Sequence, residues 1–187
     1  MTDVGVMDES TWFYRYIVRR RVRWGFVVGL AFLVFAEPST ASVFWGFLVA
    51  LAGEALRTWA SGTIVKTEEL TTSGPYRLTR NPLYVGNFFL GLGVGIMGGR
   101  LWLLALFLLL FIPVYRTLVL KEEKRLLERY GEDFLAYCRE VPRFIPNGKG
   151  WPPPAPYDPA RMWKKHREWR AWLGLYGATL YLLLQAA

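Results

Sequence analysis

Charged residues occur in this chain in blocks, and the stretches between the blocks are almost free of charge. An isolated ion at bilayer depth is costly, whereas a soluble helix spreads its charges along one face. The pattern therefore predicts an all-α, polytopic membrane protein. Apolar segments cover Trp24–Phe35, Ala41–Ala60, Leu83–Met97, Leu101–Leu120 and Ala171–Ala187. A full span takes about 20 residues, which the second and fourth supply. The first and third are short and need tilt, flanking residues or a thinned bilayer. The fifth reads as a span, with an interfacial helix as the alternative. At 187 residues, 53% of them hydrophobic, the chain suits one membrane domain.

The basic residues give that domain a direction. Arg15, Arg19, Arg20, Arg21 and Arg23 precede the first span, while the next turn, Glu37-Pro38-Ser39-Thr40, has none. Lys66, Arg77 and Arg80 follow the second span, Arg100 alone marks the Gly98-Gly99 hairpin, and Lys121, Lys124, Arg125 and Arg129 follow the fourth. This alternation predicts a cytoplasmic N-terminus, both polar loops on the cytoplasmic side, and the C-terminus outside. The net charge of +8 then belongs with anionic headgroups rather than with nucleic acid. Residues 1–10 are acidic and lack the pattern of a cleavable signal peptide. The expected layout is an interfacial amphipathic segment over 11–23, a four-span core over 24–120, pocket-forming helices over 121–146, a proline-rich linker and basic helix over 151–170, and a fifth span over 171–187.

The polar loops carry the chemistry. The run Gly74-Pro75-Tyr76-Arg77-Leu78-Thr79-Arg80-Asn81-Pro82-Leu83-Tyr84-Val85-Gly86 sits between apolar stretches. Asn81-Pro82 is a helix start, with asparagine as cap and proline at the first helical position. Free amides at such an end suit a carboxylate, Tyr84 lies close by, and Gly86 permits close approach. Read from local features alone, the run is first the polar entry to a span. Glu122-Glu123 open a charged helix, and Val141-Pro142-Arg143-Phe144-Ile145-Pro146 closes it. Glu54 and Arg57 sit three apart late in the second span, where they pair or line a polar cavity. Arg116 either snorkels to the interface or holds an acidic substrate group. Glu54, Arg57 and Arg116 are the candidate substrate residues.

Together these motifs resemble the integral-membrane methyltransferases that include isoprenylcysteine carboxyl methyltransferases and phospholipid N-methyltransferases. The shared pattern is Gly-x-Tyr, a spacer, then Arg-His-Pro-x-Tyr-x-Gly. Gly74, Tyr76, Arg80, Pro82, Tyr84 and Gly86 match, and Asn81 stands where histidine is usual. Asparagine donates and accepts hydrogen bonds but does not titrate, which argues against acid–base work there. The resemblance implies S-adenosyl-L-methionine as cofactor, held by Leu70 and Thr71 through their backbone and by Tyr76, Asn81, Pro82, Tyr84, Gly86 and a glutamate. Adjacent helical residues point about 100° apart, so one glutamate faces the pocket, Glu122 by the family spacing and Glu123 second. The acceptor it implies is lipophilic, an isoprenylcysteine-like carboxylate first and a phospholipid amine as the alternative.

Two other readings stay open: a sterol-type reductase using NADPH, and a non-catalytic scaffold that kept the fold. Gly91-Leu92-Gly93-Val94-Gly95 mimics a dinucleotide fingerprint, but it lies in an apolar span without a preceding strand. Its small residues suit close helix packing. Cys138 and His166 have no ligand partners in the sequence pattern, so no metal site is expected.

Overall fold

The computed structural model describes residues 16, 18–64, 69–147, 156–160, 162–163 and 167–187. Residues 11–15 and 17 of the amphipathic segment, Trp151 to Ala155 of the linker, and His166 lie outside the described residues. The regular elements are helices: α1 (Arg21–Phe35), α2 (Thr40–Thr63), α3 (Pro75–Leu78), α4 (Pro82–Met97), α5 (Leu101–Glu140) and α6 (Trp169–Ala186). Each of the five apolar stretches falls on one of them. Among the described residues, α5 is the one helix long and apolar enough, by length and composition, to cross a membrane, with a mean hydropathy of 2.4 over its best window. Shorter apolar helices cover Arg23–Phe32 and Pro82–Met97.

Small residues set how α2 meets α4. A Cβ on Gly53 would lie 2.5 Å from the Leu90 nitrogen and 2.6 Å from the Gly86 oxygen. One on Gly93 would lie 2.3 Å from the Ala50 nitrogen, and one on Gly46 would lie 2.5 Å from the Gly93 oxygen. The backbones therefore touch along a seam from Gly46 to Arg57 on α2 and from Gly86 to Met97 on α4, as small residues allow between apolar helices. Val43, Ala50 and Met97 pack there with Leu175 and Leu182 of α6. Trp172 of α6 also donates its indole N–H to Thr58 Oγ1 at 3.1 Å.

The turns at one end of the bundle interlock. Ser39 and Ser42 form a capping box that starts α2. Glu37 N donates to Gly98 O at 3.0 Å, and Arg100 pairs with Glu37. Gly99 has φ of 70°, and a Cβ there would strike the Glu37 carbonyl.

At the other end α5 outruns the bundle. Its 40 residues would span about 60 Å if straight, twice the thickness of a bilayer core. Gly131, with φ of 51° and ψ of −121°, breaks the helix. The last turns then return against α3 and the start of α4. Arg167 has φ of 54°, so helix does not run continuously through 161–170, and α6 begins at Trp169. That turn delivers Glu168 to α2.

Candidate functional site

The polar loop before α4 is assembled by the return of α5. Gly74 (φ 57°) turns the chain into the single helical turn of α3. Phe134, Tyr137 and Val141 form a small core with Leu70, Leu126, Tyr130 and Cys138 against them. Tyr137 donates its hydroxyl to the Tyr76 carbonyl. Arg80 N donates to Pro142 O at 2.9 Å, and Thr79 Oγ1 to Arg143 O at 2.8 Å. Arg80 also reaches the Cys138 and Val141 carbonyls at 3.1 and 3.2 Å. Two segments far apart in sequence thus become one unit.

Glu123 is its hub. Its carboxylate accepts from Arg143 Nη2 at 2.7 Å and Nε at 3.0 Å, from Arg80 Nε at 3.2 Å and from Asn81 Nδ2 at 3.4 Å. Glu123 and Arg80 are about 10% exposed, Arg143 39%. Two guanidiniums around one carboxylate leave the cluster with an excess positive charge. The bond to Glu123 raises the Arg143 pKa further, against its partial burial. Asn81 holds the N-cap position of α4 but makes no side-chain cap bond. This corrects the capping role expected of it. Its amide is drawn instead to Glu123 and to the Arg143 carbonyl at 3.2 Å, while its own N–H donates to Thr79 Oγ1 at 3.3 Å.

Tyr76 is buried in this unit, and its hydroxyl has no hydrogen-bond partner. Burial holds its pKa well above the ordinary tyrosine range, and Tyr137, Glu122 and Tyr84 push the same way. Tyr137 is raised by burial too, opposed by Arg80. Both phenols therefore stay protonated, and Tyr76 offers an unused donor. Glu122 is half exposed, its carboxylate 3.8 Å from Arg125. Of the two adjacent glutamates, Glu123 is the one the fold brings onto the loop. Leu70 and Thr71 lie partly buried at the loop's entrance, and Pro82 is buried at the first position of α4.

A second polar group sits deeper. Arg57 lies with its Nε 3.3 Å from Glu54, donates Nη2 to Glu168 at 2.8 Å, and donates Nη1 to Asn87 Oδ1. Glu54 is fully buried, with neither oxygen in a hydrogen bond, and Glu168 is 5% exposed. Gly86 makes room for the group, since a Cβ there would lie 2.5 Å from Arg57 Cγ. The expected Glu54–Arg57 pair is thus present, and Glu168 and Asn87 complete it. Arg116 is exposed on α5 and joins neither cluster.

Between α1, α4, α5 and α6 runs an apolar groove of about 940 Å³, whose walls include Trp24, Gly29, Asn87, Phe111, Tyr115 and Tyr181. Asn87 ties it to the Arg57 group. Tyr115 ties it to the loop, because its ring packs edge-on against Tyr84 with centroids 5.6 Å apart and stacks on Phe111 at 3.8 Å. Arg143, Glu168, Asn87 and Tyr115 were not singled out from sequence. For Arg143 the signal was there, a cation directly after Val141-Pro142, while the others depend on how the helices pack.

The phospholipid methyltransferase family matches residues 24–133. The nickel-cobalt-cadmium resistance protein NccN of Alcaligenes xylosoxydans xylosoxydans is 41% identical over 81 residues, 43% of this chain and 38% of that protein. The protein-S-isoprenylcysteine O-methyltransferase of Rattus norvegicus is 30% identical over 129 residues, 60% of this chain and 45% of that protein. Its Homo sapiens counterpart is 28% identical over 131 residues, 70% of this chain and 44% of that protein. The chain spans less than half the length of each of these relatives. No solved structure matches it. With more than half of its residues matched, the chain belongs to the phospholipid methyltransferase family.

Proposed function

We propose that the chain is an S-adenosyl-L-methionine-dependent, multi-pass membrane methyltransferase acting on a lipophilic acceptor, an isoprenylcysteine-like carboxylate. The observation that carries this reading is the Tyr84–Tyr115 contact, which joins the polar loop unit to the apolar groove. A methyl donor needs polar contacts and an amphiphile needs an apolar bed, and here the two share a wall.

The residues present fit the cofactor. The unpartnered Tyr76 hydroxyl is a donor in need of an acceptor, and the excess positive charge around Glu123 suits a carboxylate. Leu70, Thr71, Tyr76, Asn81, Pro82, Tyr84 and Gly86 would hold it, with Glu123 and Arg143 shaping the pocket and Glu122 at its rim. When bound, S-adenosyl-L-methionine supplies an electrophilic methyl group on a sulfonium. The task left to the protein is alignment and exclusion of water, which contributes more to a displacement of this kind than an acid or base does. Asn81, which neither takes up nor releases a proton near neutral pH, is compatible with that task. A carboxylate acceptor arrives already ionised.

A phospholipid amine is the second reading, favoured by the Arg57 group. Glu54 and Glu168 outnumber Arg57, and a cationic headgroup would balance them. Calorimetric titration of the purified protein with S-adenosylhomocysteine, beside NADPH, tests the cofactor. Binding of NADPH alone would overturn the methyltransferase reading, and binding of neither would favour a scaffold. Labelled methyl transfer to a farnesylcysteine analogue and to phosphatidylethanolamine then separates the two acceptors.

A further inference from the structure

The loop that follows α5 has an apolar tip that the described residues leave exposed. Asn147 Nδ2 donates back to the Glu140 carbonyl at 3.0 Å, closing residues 141–146 into a compact bend. The base of the bend is buried, with Val141 2% exposed, while at its tip Phe144 is 40% and Ile145 82% exposed. Large apolar side chains on a loop tip mark a contact surface. Three features say what kind.

The first is height. Arg143 is bonded through its carbonyl to Thr79 and Asn81, immediately before α4 begins at Pro82. Its guanidinium is held by Glu123, just past the apolar half of α5. Residue 143 is therefore level with the ends of two apolar helices, and Ile145 follows within about 8 Å of chain. The second is charge. Half-exposed Arg143 directly precedes the tip, and exposed Arg139 lies on the last turn of α5, where the neighbouring Glu140 is already paired with Arg77, a basic and apolar mixture that suits an anionic lipid surface. The third is rigidity. The bend is pinned at both ends, so the tip does not have to be ordered when it meets a surface.

We propose that Phe144 and Ile145 are a bilayer anchor, seated at the boundary of headgroups and acyl chains in an anionic membrane. The anchor would hold the return segment, and with it Arg143, against the loop. The proposal rests on the reading of α4 and α5 as membrane spans.

The test uses the full chain in phosphatidylcholine–phosphatidylglycerol vesicles. Cys138→Ala removes the native thiol, and Arg80 bonds only the carbonyl of that residue. An environment-sensitive fluorophore is then placed on Ile145→Cys, on Glu128→Cys as a water-facing control, and on Leu109→Cys as a membrane control, all exposed positions. The expected result is quenching of the 145 label by lipids spin-labelled in the upper acyl chain, about threefold or more above the 128 label, with the reverse order for iodide. Equal iodide access at 145 and 128 would overturn the anchor. So would protection from both quenchers, which would mean that another protein surface, such as a second copy, covers the tip. A 109 label unquenched by lipid would instead overturn the membrane reading itself.

Discussion

Tyr76 carries a buried hydroxyl with nothing to bond, and a group of that kind costs about 1–3 kcal/mol in the folded state. Tyr76→Phe is therefore expected to keep or raise the melting temperature while lowering S-adenosylhomocysteine affinity about fivefold, near 1 kcal/mol. A fall in both would mean that the hydroxyl is bonded in the free protein. The two glutamates differ in the opposite sense. Glu123→Gln strips the counter-charge from Arg80 and Arg143 and should cost about 2–3 kcal/mol, less than a fully buried pair because Arg143 is partly exposed. Glu122→Gln, at a half-exposed position, should shift stability by less than about 0.5 kcal/mol. Denaturant midpoints of the two variants check this, and equal losses would contradict the arrangement around Glu123. Sequence spacing ranked Glu122 first for the cofactor; which of the two glutamates meets Arg80 and Arg143 depends on the rotation of the helix, which family matching does not give. That rotation follows from how α5 packs. The role of Asn81 escaped for a related reason: a cap is the local choice for asparagine, and a distant carboxylate and carbonyl outcompeted it.

At the level of elements, the helices themselves were readable because long apolar stretches between charged blocks satisfy their backbone polar groups internally as helix. The Glu54–Arg57 pair was readable as well, being three residues apart on one helix. Glu168 was not, since nothing local tells that a turn at Arg167 aims it at Arg57, 111 residues away. The backbone break in α5 has a direct consequence. Gly131→Ala meets no neighbour but must adopt a positive φ, so it should cost about 1–3 kcal/mol through strain alone. Because the return segment brings Arg143 to the loop, the same substitution should weaken S-adenosylhomocysteine binding measured by calorimetry. Unchanged stability and affinity would show that the return does not depend on that glycine. The seam is less forgiving: Gly53→Val drives side-chain atoms into the backbone of α4, and chromatography of the detergent-solubilised protein is expected to show little or no folded material.

Across the whole molecule, the groove can be altered without touching the loop. Gly29 lines it, and a Cβ there meets nothing within 4 Å. Gly29→Leu should therefore fill part of the groove without strain, lowering kcat/KM for a long-chain acceptor about tenfold while S-adenosylhomocysteine affinity stays constant. Equal activity on long and short acceptors would place the acceptor elsewhere. The contrast between seam and groove extends beyond this variant. α2 and α4 lie backbone against backbone, so side chains larger than hydrogen are not tolerated at Gly46, Gly53, Gly86 and Gly93, and the polar loop is fastened to that fixed pair. α1 and α6 supply the outer walls of the groove. The molecule thus has a tightly packed pair and an outer wall, and α6 of that wall lies beyond the residues matched by the family. On the proposed function, such a division would make acceptor choice a separable trait: replacing the groove-facing residues of α1 and α6, with Glu168 kept for Arg57, would change substrate preference and leave the polar loop intact.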